Sequence, residues 1–320
     1  MHDSPFTEAE PPVQPRFSKV GFFQSLLLFC AVLAGRSLIV DTADRVELGP
    51  SSAIVRYRPV EFDPAGFAPL RLAGAWVVSV DDPRFGGVSA LALERDRLLA
   101  LTDSGVVVSL PRPGEGSRAS LRDLPSGPGD PGFKRNRDSE ALLRDPRGRG
   151  WWVAFENRHS LWLYDPTFAQ GRRVADLGDR GWRANKGVEA IALDGDRLLL
   201  LVETGDEMVS LEPSGPRTLR LPDNPRRISD ASVLPDGGML VLQRQSTALG
   251  LRNWLARLES TPDGYRVAGR IALGVGRLDV LEGLAVEKRP QGIRLWVMSD
   301  DNFRRHQRTL LLALDVPPRR

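Results

Sequence analysis

One cysteine in 320 residues excludes a disulfide framework and any zinc site built on several thiolates. Three histidines (His2, His159, His306) leave little room for a histidine-rich metal site and serve a plain Ser–His–Asp hydrolase poorly. Lysine is almost as scarce. Only Lys19, Lys134, Lys186 and Lys288 stand among the 44 basic residues, so arginine sets the sequence pI of 9.3. The 41 acidic residues bring the net charge to +3, without the concentrated basic face that a nucleic-acid partner requires. No nucleophile elbow occurs, since Gly87-Val-Ser89 continues into Ala90-Leu91, and no Gly-x-x-x-x-Gly-Lys phosphate loop is present. What the chain has instead is 31 glycines, 25 prolines and 41% hydrophobic residues, the composition of a globular protein of many short strands and turns.

The N-terminus reads as an export signal or anchor. Residues 1–20 are polar and end in Arg16 and Lys19; an apolar run of 15 residues, Gly21 to Gly35, follows and is stopped by Arg36. A basic flank, a short apolar run and small residues at Ala34-Gly35 describe a secretory signal. The stretch continues weakly through Val40, so an uncleaved membrane anchor over 1–40 is the other reading. Cys30, after Phe29, fills the apolar segment. The positive flank places the rest of the chain outside the cytoplasm, periplasmic or extracellular. Residues 41–66 lack sustained periodicity and read as a linker or extended lead-in, with the folded domain over 67–320.

Within that domain one pattern recurs: a short strand opening on a small or acidic residue, a turn, then an apolar strand ending in a polar one. It appears at Gly86–Asp103, Asp138–Glu156, Gly187–Glu203, Ser229–Arg244 and Leu281–Asp300. Taking Ser89, Glu140, Glu189, Asp230 and Glu282 as equivalent gives spacings of 51, 49, 41 and 52 residues, the length of a four-stranded propeller blade with variable loops. Third strands fit at Gly105–Leu110, Leu161–Tyr164, Met208–Leu211, Trp254–Leu258 and Thr309–Val316. The last unit lacks a fourth strand, which Leu70–Ser79 can supply, closing the ring and removing a bare sheet edge. The expected fold is all-β: a β-propeller of five blades, or six with a degenerate one. The pair Trp151-Trp152, alternating within a strand, reads as core.

Antiparallel pairing puts the start of each first strand beside the end of the second, at one mouth of the channel. The starts carry Glu140, Glu189, Asp230 and Glu282; the ends carry Asp103, Glu156, Glu203, Arg244 and Asp300, with Asp301 and Asn302 just beyond. Carboxylates crowded this way raise one another's pKa unless cations neutralise them. Hard oxygen ligands suit calcium or magnesium. Cations precede several acids: Lys134 to Arg137 before Glu140, Lys186 before Glu189, Arg226-Arg227 before Asp230, and the Arg304–Arg308 run after Asn302. Arginine forks match phosphate oxygens, so a carboxylate floor with an arginine rim fits a metal-assisted phosphate site. The same acids can equally bond loop amides or pair with arginines of the next blade. His306 reads as a general acid or base, or as a solvated loop residue.

The chain resembles the family known as esterase-like activity of phytase from about Phe67 to Val316. The resemblance rests on Phe85-Gly-Gly-Val-Ser89, Asp138-Ser-Glu-Ala141, Asn185-Lys-Gly-Val-Glu-Ala190, Ser229-Asp-Ala231 with Leu234-Pro-Asp-Gly237, and Leu281-Glu-Gly-Leu284. Its most specific part is Ser299-Asp-Asp-Asn-Phe303 with Gln307-Arg-Thr-Leu310. The chain departs at Arg277-Leu-Asp-Val-Leu-Glu282, where the family often has Asp-Asn-Phe before its last Glu-Gly, and at Gln243, where a glutamate is more usual. The resemblance implies a phytase-like propeller with calcium-dependent phosphomonoester hydrolysis.

Two functions follow as expectations. In the first, an exported monomer hydrolyses a small phosphorylated substrate with calcium. Asp103, Glu140, Glu189 and Asp300 then act as ligands or water-orienting carboxylates. Glu156, Glu203, Asp230, Glu282 and Asp301 complete the metal-ligating set, and Arg137, Lys186, Arg227, Arg244 and Asn302 hold the phosphate. In the second, a non-catalytic propeller of the cell envelope binds a ligand or protein, its acids fixed by salt bridges. A carboxylic-ester hydrolase lacks an identifiable nucleophile.

Overall fold

The computed structural model describes residues 44–317 apart from 222, 223 and 225, so the signal or anchor read over 1–40 lies outside the described residues. Twenty-one strands and three short 3-10 turns make up the regular structure, and no α-helix occurs among the described residues. Strands β1 (Ser51–Pro59) and β2 (Arg71–Val80) precede the first repeat. That repeat is the antiparallel meander β3 (Val88–Glu94), β4 (Arg97–Thr102), β5 (Val106–Pro111) and β6 (Arg118–Asp123). The second is β7 (Ser139–Arg144), β8 (Trp151–Phe155), β9 (Ser160–Tyr164) and β10 (Gly171–Asp176). The third is β11 (Val188–Asp194), β12 (Arg197–Val202), β13 (Glu207–Glu212) and β14 (Gly215–Arg220). The fourth is β15 (Arg227–Val233), β16 (Met239–Thr247), β17 (Gly250–Thr261) and β18 (Gly264–Leu273). The last is β19 (Val280–Arg289), β20 (Gly292–Asp300) and β21 (Leu310–Val316), and β2 is its fourth strand, antiparallel to β21.

Burial is high in the inner strands of each meander and drops in the outermost one, and the sequence explains why. The second strands β4, β8 and β12 are near-continuous apolar runs because neighbouring meanders cover both of their faces. The fourth strands β10 and β14 are mostly exposed and correspondingly polar. The first strands pack against one another in order: β3 against β7, β7 against β11, β11 against β15, β15 against β19, and β19 against β3. Apolar layers fill the spaces between successive meanders. Leu99, Leu101, Trp151 and Phe155 join the first to the second, and Trp152, Leu161, Ile191 and Leu200 join the second to the third. Leu281, Leu295 and Leu312 meet Leu242 and Leu255 between the fourth and the last, while Trp296 and Met298 meet Leu91 and Val88 across the seam to the first. Each fully buried leucine or phenylalanine here contributes about 1.5–3 kcal/mol. The tryptophan pair is core: Trp151 and Trp152 are both buried. The molecule is thus all-β and propeller-like.

The segment read as a linker or lead-in contains β1, which is extended but hydrogen-bonded on both edges. It pairs with β2 from Val55↔Val80 to Pro59↔Trp76 and with β6 from Ser51↔Leu121 to Ile54↔Arg118. A nine-stranded sheet therefore runs from β19 through β2 and β1 to β3, covering two outer edges that would otherwise be bare. Its signal in the sequence is short. Ala53 and Val55 face inward between exposed Ser52, Ile54 and Arg56, and the prolines at either end hide the alternation.

Candidate functional site

All five first strands carry a register shift near their start, between Val88 and Ala90, Ser139 and Ala141, Val188 and Ala190, Ile228 and Asp230, and Leu281 and Gly283. A bulge of this kind leaves one residue unpaired and re-aims its side chain. The residues so placed are Ser89, Glu140, Glu189, Ser229 and Glu282. This corrects the equivalence read from the sequence by one position, because Asp230 occupies the place held by Ala90, Ala141, Ala190 and Gly283 in the other repeats. That place is tight: a Cβ on Gly283 would lie 2.7 Å from Leu91 Cβ. Asp230 is accordingly buried, 2% exposed, and its carboxylate accepts the amides of Leu284 (2.7 Å), Ala231 (2.8 Å) and Leu91 (3.4 Å). It joins β15 to β19 and β3 and does not reach the mouth.

The three bulged glutamates do reach it. Glu140, Glu189 and Glu282 line one open cavity of about 590 Å³ together with Asp103, Glu156, Glu203 and Asp300 at the ends of the second strands. Lys186, Arg227, Arg244 and Arg304 share the wall, with Asn185, Asn302 and Gln307. Of the residues proposed from sequence, Asp230, Asp301 and Arg137 fall outside. Asp301 organises its own turn, accepting the amides of Phe303 (3.0 Å) and Gly87 (3.1 Å) on Oδ1 and the Thr309 hydroxyl (3.1 Å) on Oδ2. Arg137 is 3% exposed and turned inward, where its Nη1 donates to the carbonyls of Pro128 (2.8 Å) and Asn136 (3.1 Å). A buried guanidinium needs acceptors, and the loop carbonyls supply them. Gln243, at the family's usual glutamate position, points into the interior and donates to Asn224 Oδ1 at 2.7 Å. His306 is exposed and does not line the cavity.

The wall divides by charge compensation. Glu203 is bonded by Lys186, by Arg227 at 3.1 Å and by Arg244 at 3.2 Å. Burial alone would raise its pKa, but Lys186, Arg244 and Arg227 outweigh it and hold the carboxyl below its ordinary value. Arg244 also pairs with Glu282. Lys134 bridges Asp103 (2.9 Å) and Asp138 (3.1 Å), though Asp103 Oδ1 stays buried without a partner and burial lifts its pKa.

Three glutamates have no such cation. The Glu156 carboxylate accepts only the Gly187 amide, at 3.2 Å; the carboxylates of Glu140 and Glu189 make no hydrogen bond or ion pair with any described residue. Burial, reinforced by the neighbouring carboxylates, pushes Glu189 up to about 8 although Arg244 and Lys186 partly offset it, and pushes Glu156 up to about 7 against the Gly187 amide and Lys186; Glu140, with no such offset, rises well above the usual range. Asp300, buried and receiving the Asn302 amide at 2.6 Å, is raised to about 7. Carboxylate oxygens of Asp138, Glu140 and Glu156, and of Glu156, Glu189 and Glu203, each lie within 4.8 Å of one another. Asp138 was missed from the sequence as a member of this group, although it stands two residues before Glu140 in a motif already noted.

The family described as Phytase-like, esterase-like activity of phytase, matches residues 83–303. The chain belongs to this family. Among solved structures it is similar to a catalytically inactive virginiamycin B lyase from Staphylococcus aureus with quinupristin, at 10% identity over 82% of this chain and 99% of that one, TM-score 0.45. It is also similar to Myxococcus xanthus glutaminyl cyclase, at 13% identity over 83% and 97%, TM-score 0.47. A nidogen/laminin complex matches at 9% identity over 78% and 89%, TM-score 0.43. At those values the likenesses carry nothing about chemistry. No curated protein matches the chain.

Proposed function

We propose that the mouth holds a divalent cation, calcium, and hydrolyses a small phosphoric ester beside it. The observation that carries this is that Glu140, Glu156 and Glu189 make no ion pair, while Asp103, Asp138, Glu203 and Glu282 each make one. Like carboxylates buried together without compensation are costly, and a hard cation relieves that cost. Glu156 would hold the ion together with Asp138 and Glu140 or with Glu189 and Glu203, the two groups whose oxygens converge, and their oxygen-only chemistry suits it. A cation bound there would neutralise phosphoryl oxygens and lower the pKa of a bound water.

The chain's own residues supply the rest. Arg227, whose side chain is 55% exposed with one bond to Glu203, and Arg304 on the rim are free to fork onto phosphate oxygens. Lys186 and Arg244 are held by Glu203 and Glu282, so they set the charge of the wall. Asp300 uses Oδ1 for the Asn302 amide, and its pKa near neutrality suits Oδ2 to exchange a proton with substrate or water. The scaffold in this reading is a five-bladed propeller closed by β2, supported by the order in which the first strands pack. The basic-flanked apolar run at 21–35 supports a place outside the cytoplasm.

A second reading, a non-catalytic binding propeller, draws on the engagement of Lys186 and Arg244 by acids. Turnover of p-nitrophenyl phosphate with millimolar calcium separates the two. Under the first reading EDTA abolishes turnover, and Glu140→Gln lowers kcat by roughly 100-fold. Calcium binding without turnover would select the second.

A further inference from the structure

We propose that Phe303, seated on the Gly86-Gly87 turn, is a positioning residue that sets the affinity of the mouth for cations; this rests on the cation-site reading above. Asn302 and Phe303 both adopt left-handed backbone, with φ of 49° and 51°. Asparagine tolerates that region, but for a bulky aromatic it is an outlier that the surroundings must enforce. Core burial does not enforce it, because Phe303 remains 52% exposed.

What surrounds it is a clasp between the last repeat and the first. The Phe303 ring lies over two glycines at which no side chain fits: a Cβ on Gly86 would be 2.7 Å from Phe303 Cε1, and one on Gly87 would be 2.7 Å from Cε2. The Gly87 Cβ would also lie 2.4 Å from Asp103 Oδ1. Gly87 itself has φ of +58°, donates its amide to Asp301 and accepts the Asp103 amide on its carbonyl at 2.7 Å. One glycine is thus gripped from the last repeat by Asp301 and Phe303 and from its own repeat by Asp103. The two carboxylates on either side of the clasp, Asp103 and Asp300, are both wall residues of the cavity, as is Asn302. Releasing the ring frees the turn that orients Asp300 and Asn302 and the glycine that fixes Asp103, a carboxylate that lines the same cavity as the ion-holding Glu140 and acts on it electrostatically.

The test compares the full chain with Phe303→Ala and Phe303→Tyr by calcium titration and by hydrogen exchange of the amides of Gly87 and residues 302–304. The expected result is calcium affinity at least about tenfold weaker in Phe303→Ala, with faster exchange at those amides, an unchanged melting temperature in EDTA, and recovery of both properties in Phe303→Tyr. Wild-type exchange at the clasp in Phe303→Ala overturns the proposal, as does wild-type calcium affinity in that variant. A wild-type chain that binds no calcium contradicts both the cation-site reading and the role assigned to Phe303 in affinity, whereas loss confined to Phe303→Ala leaves the reading standing.

Discussion

Replacing Glu189 by glutamine is expected to raise the melting temperature of the metal-free protein at pH 8.5 by about 5–10 °C and to remove its response to calcium. Glu189 is 6% exposed, its carboxylate makes no ion pair or hydrogen bond with a described residue, and burial, only partly offset by Arg244 and Lys186, lifts its pKa to about 8. Ionising it in place is therefore disfavoured by several kcal/mol, at about 1.4 kcal/mol for each tenfold change in proton affinity. For a domain of this size about 1 kcal/mol moves the melting temperature by about 2–4 °C. The sign of the wild-type pH dependence follows. A carboxyl whose folded pKa lies above its unfolded value of about 4.3 binds more protons when folded, so its stability contribution is complete below that value. It is lost as pH rises through the folded pKa, here from about 7 for Glu156 to about 8 for Glu189. Metal-free protein should melt lower at pH 8.5 than at pH 6, and the slope should flatten in Glu189→Gln. Calorimetric scans across that range in EDTA measure both. An unchanged slope would mean the glutamate is relieved by something other than a proton or a cation.

Asp230→Ala is the second large effect, and its direction is opposite. Removing the carboxylate strips the acceptor from three buried amides on three different first strands. Each orphaned donor costs about 1–3 kcal/mol, less what water recovers, so the expected loss is about 3–5 kcal/mol, seen as a drop of about 10 °C. Asp230→Asn keeps a carbonyl acceptor without a buried charge and should melt within a few degrees of wild type. Neither change should alter calcium affinity where the protein remains folded. A loss of calcium binding in Asp230→Asn would return this residue to the metal site.

That contrast marks where the sequence stops being legible. The repeats were readable because β4, β8 and β12 are covered on both faces and must be apolar throughout. The outer strands β10 and β14 were not, since exposure removes the alternation that identifies a strand. The mouth was readable as a place, as strand starts and ends must meet there. Its exact membership was not. A one-residue bulge decides whether Ser229 or Asp230 faces the opening, and the run Ser229-Asp-Ala231 carries no sign of which residue is left unpaired. Compensation was hidden for a different reason. Lys186, Arg227 and Arg244 come from different loops and strands, and only the fold brings all three onto Glu203.

Calorimetric titration of the wild-type protein with calcium at pH 7.5 tests the central claim most directly. The account predicts saturable binding of about one ion per chain, in the submillimolar to millimolar range of extracellular oxygen-ligand sites, absent in Glu189→Gln and retained in Asp230→Asn. A flat titration to about 10 mM calcium, well beyond that range, would contradict it and leave Glu140, Glu156 and Glu189 as protonated structural acids.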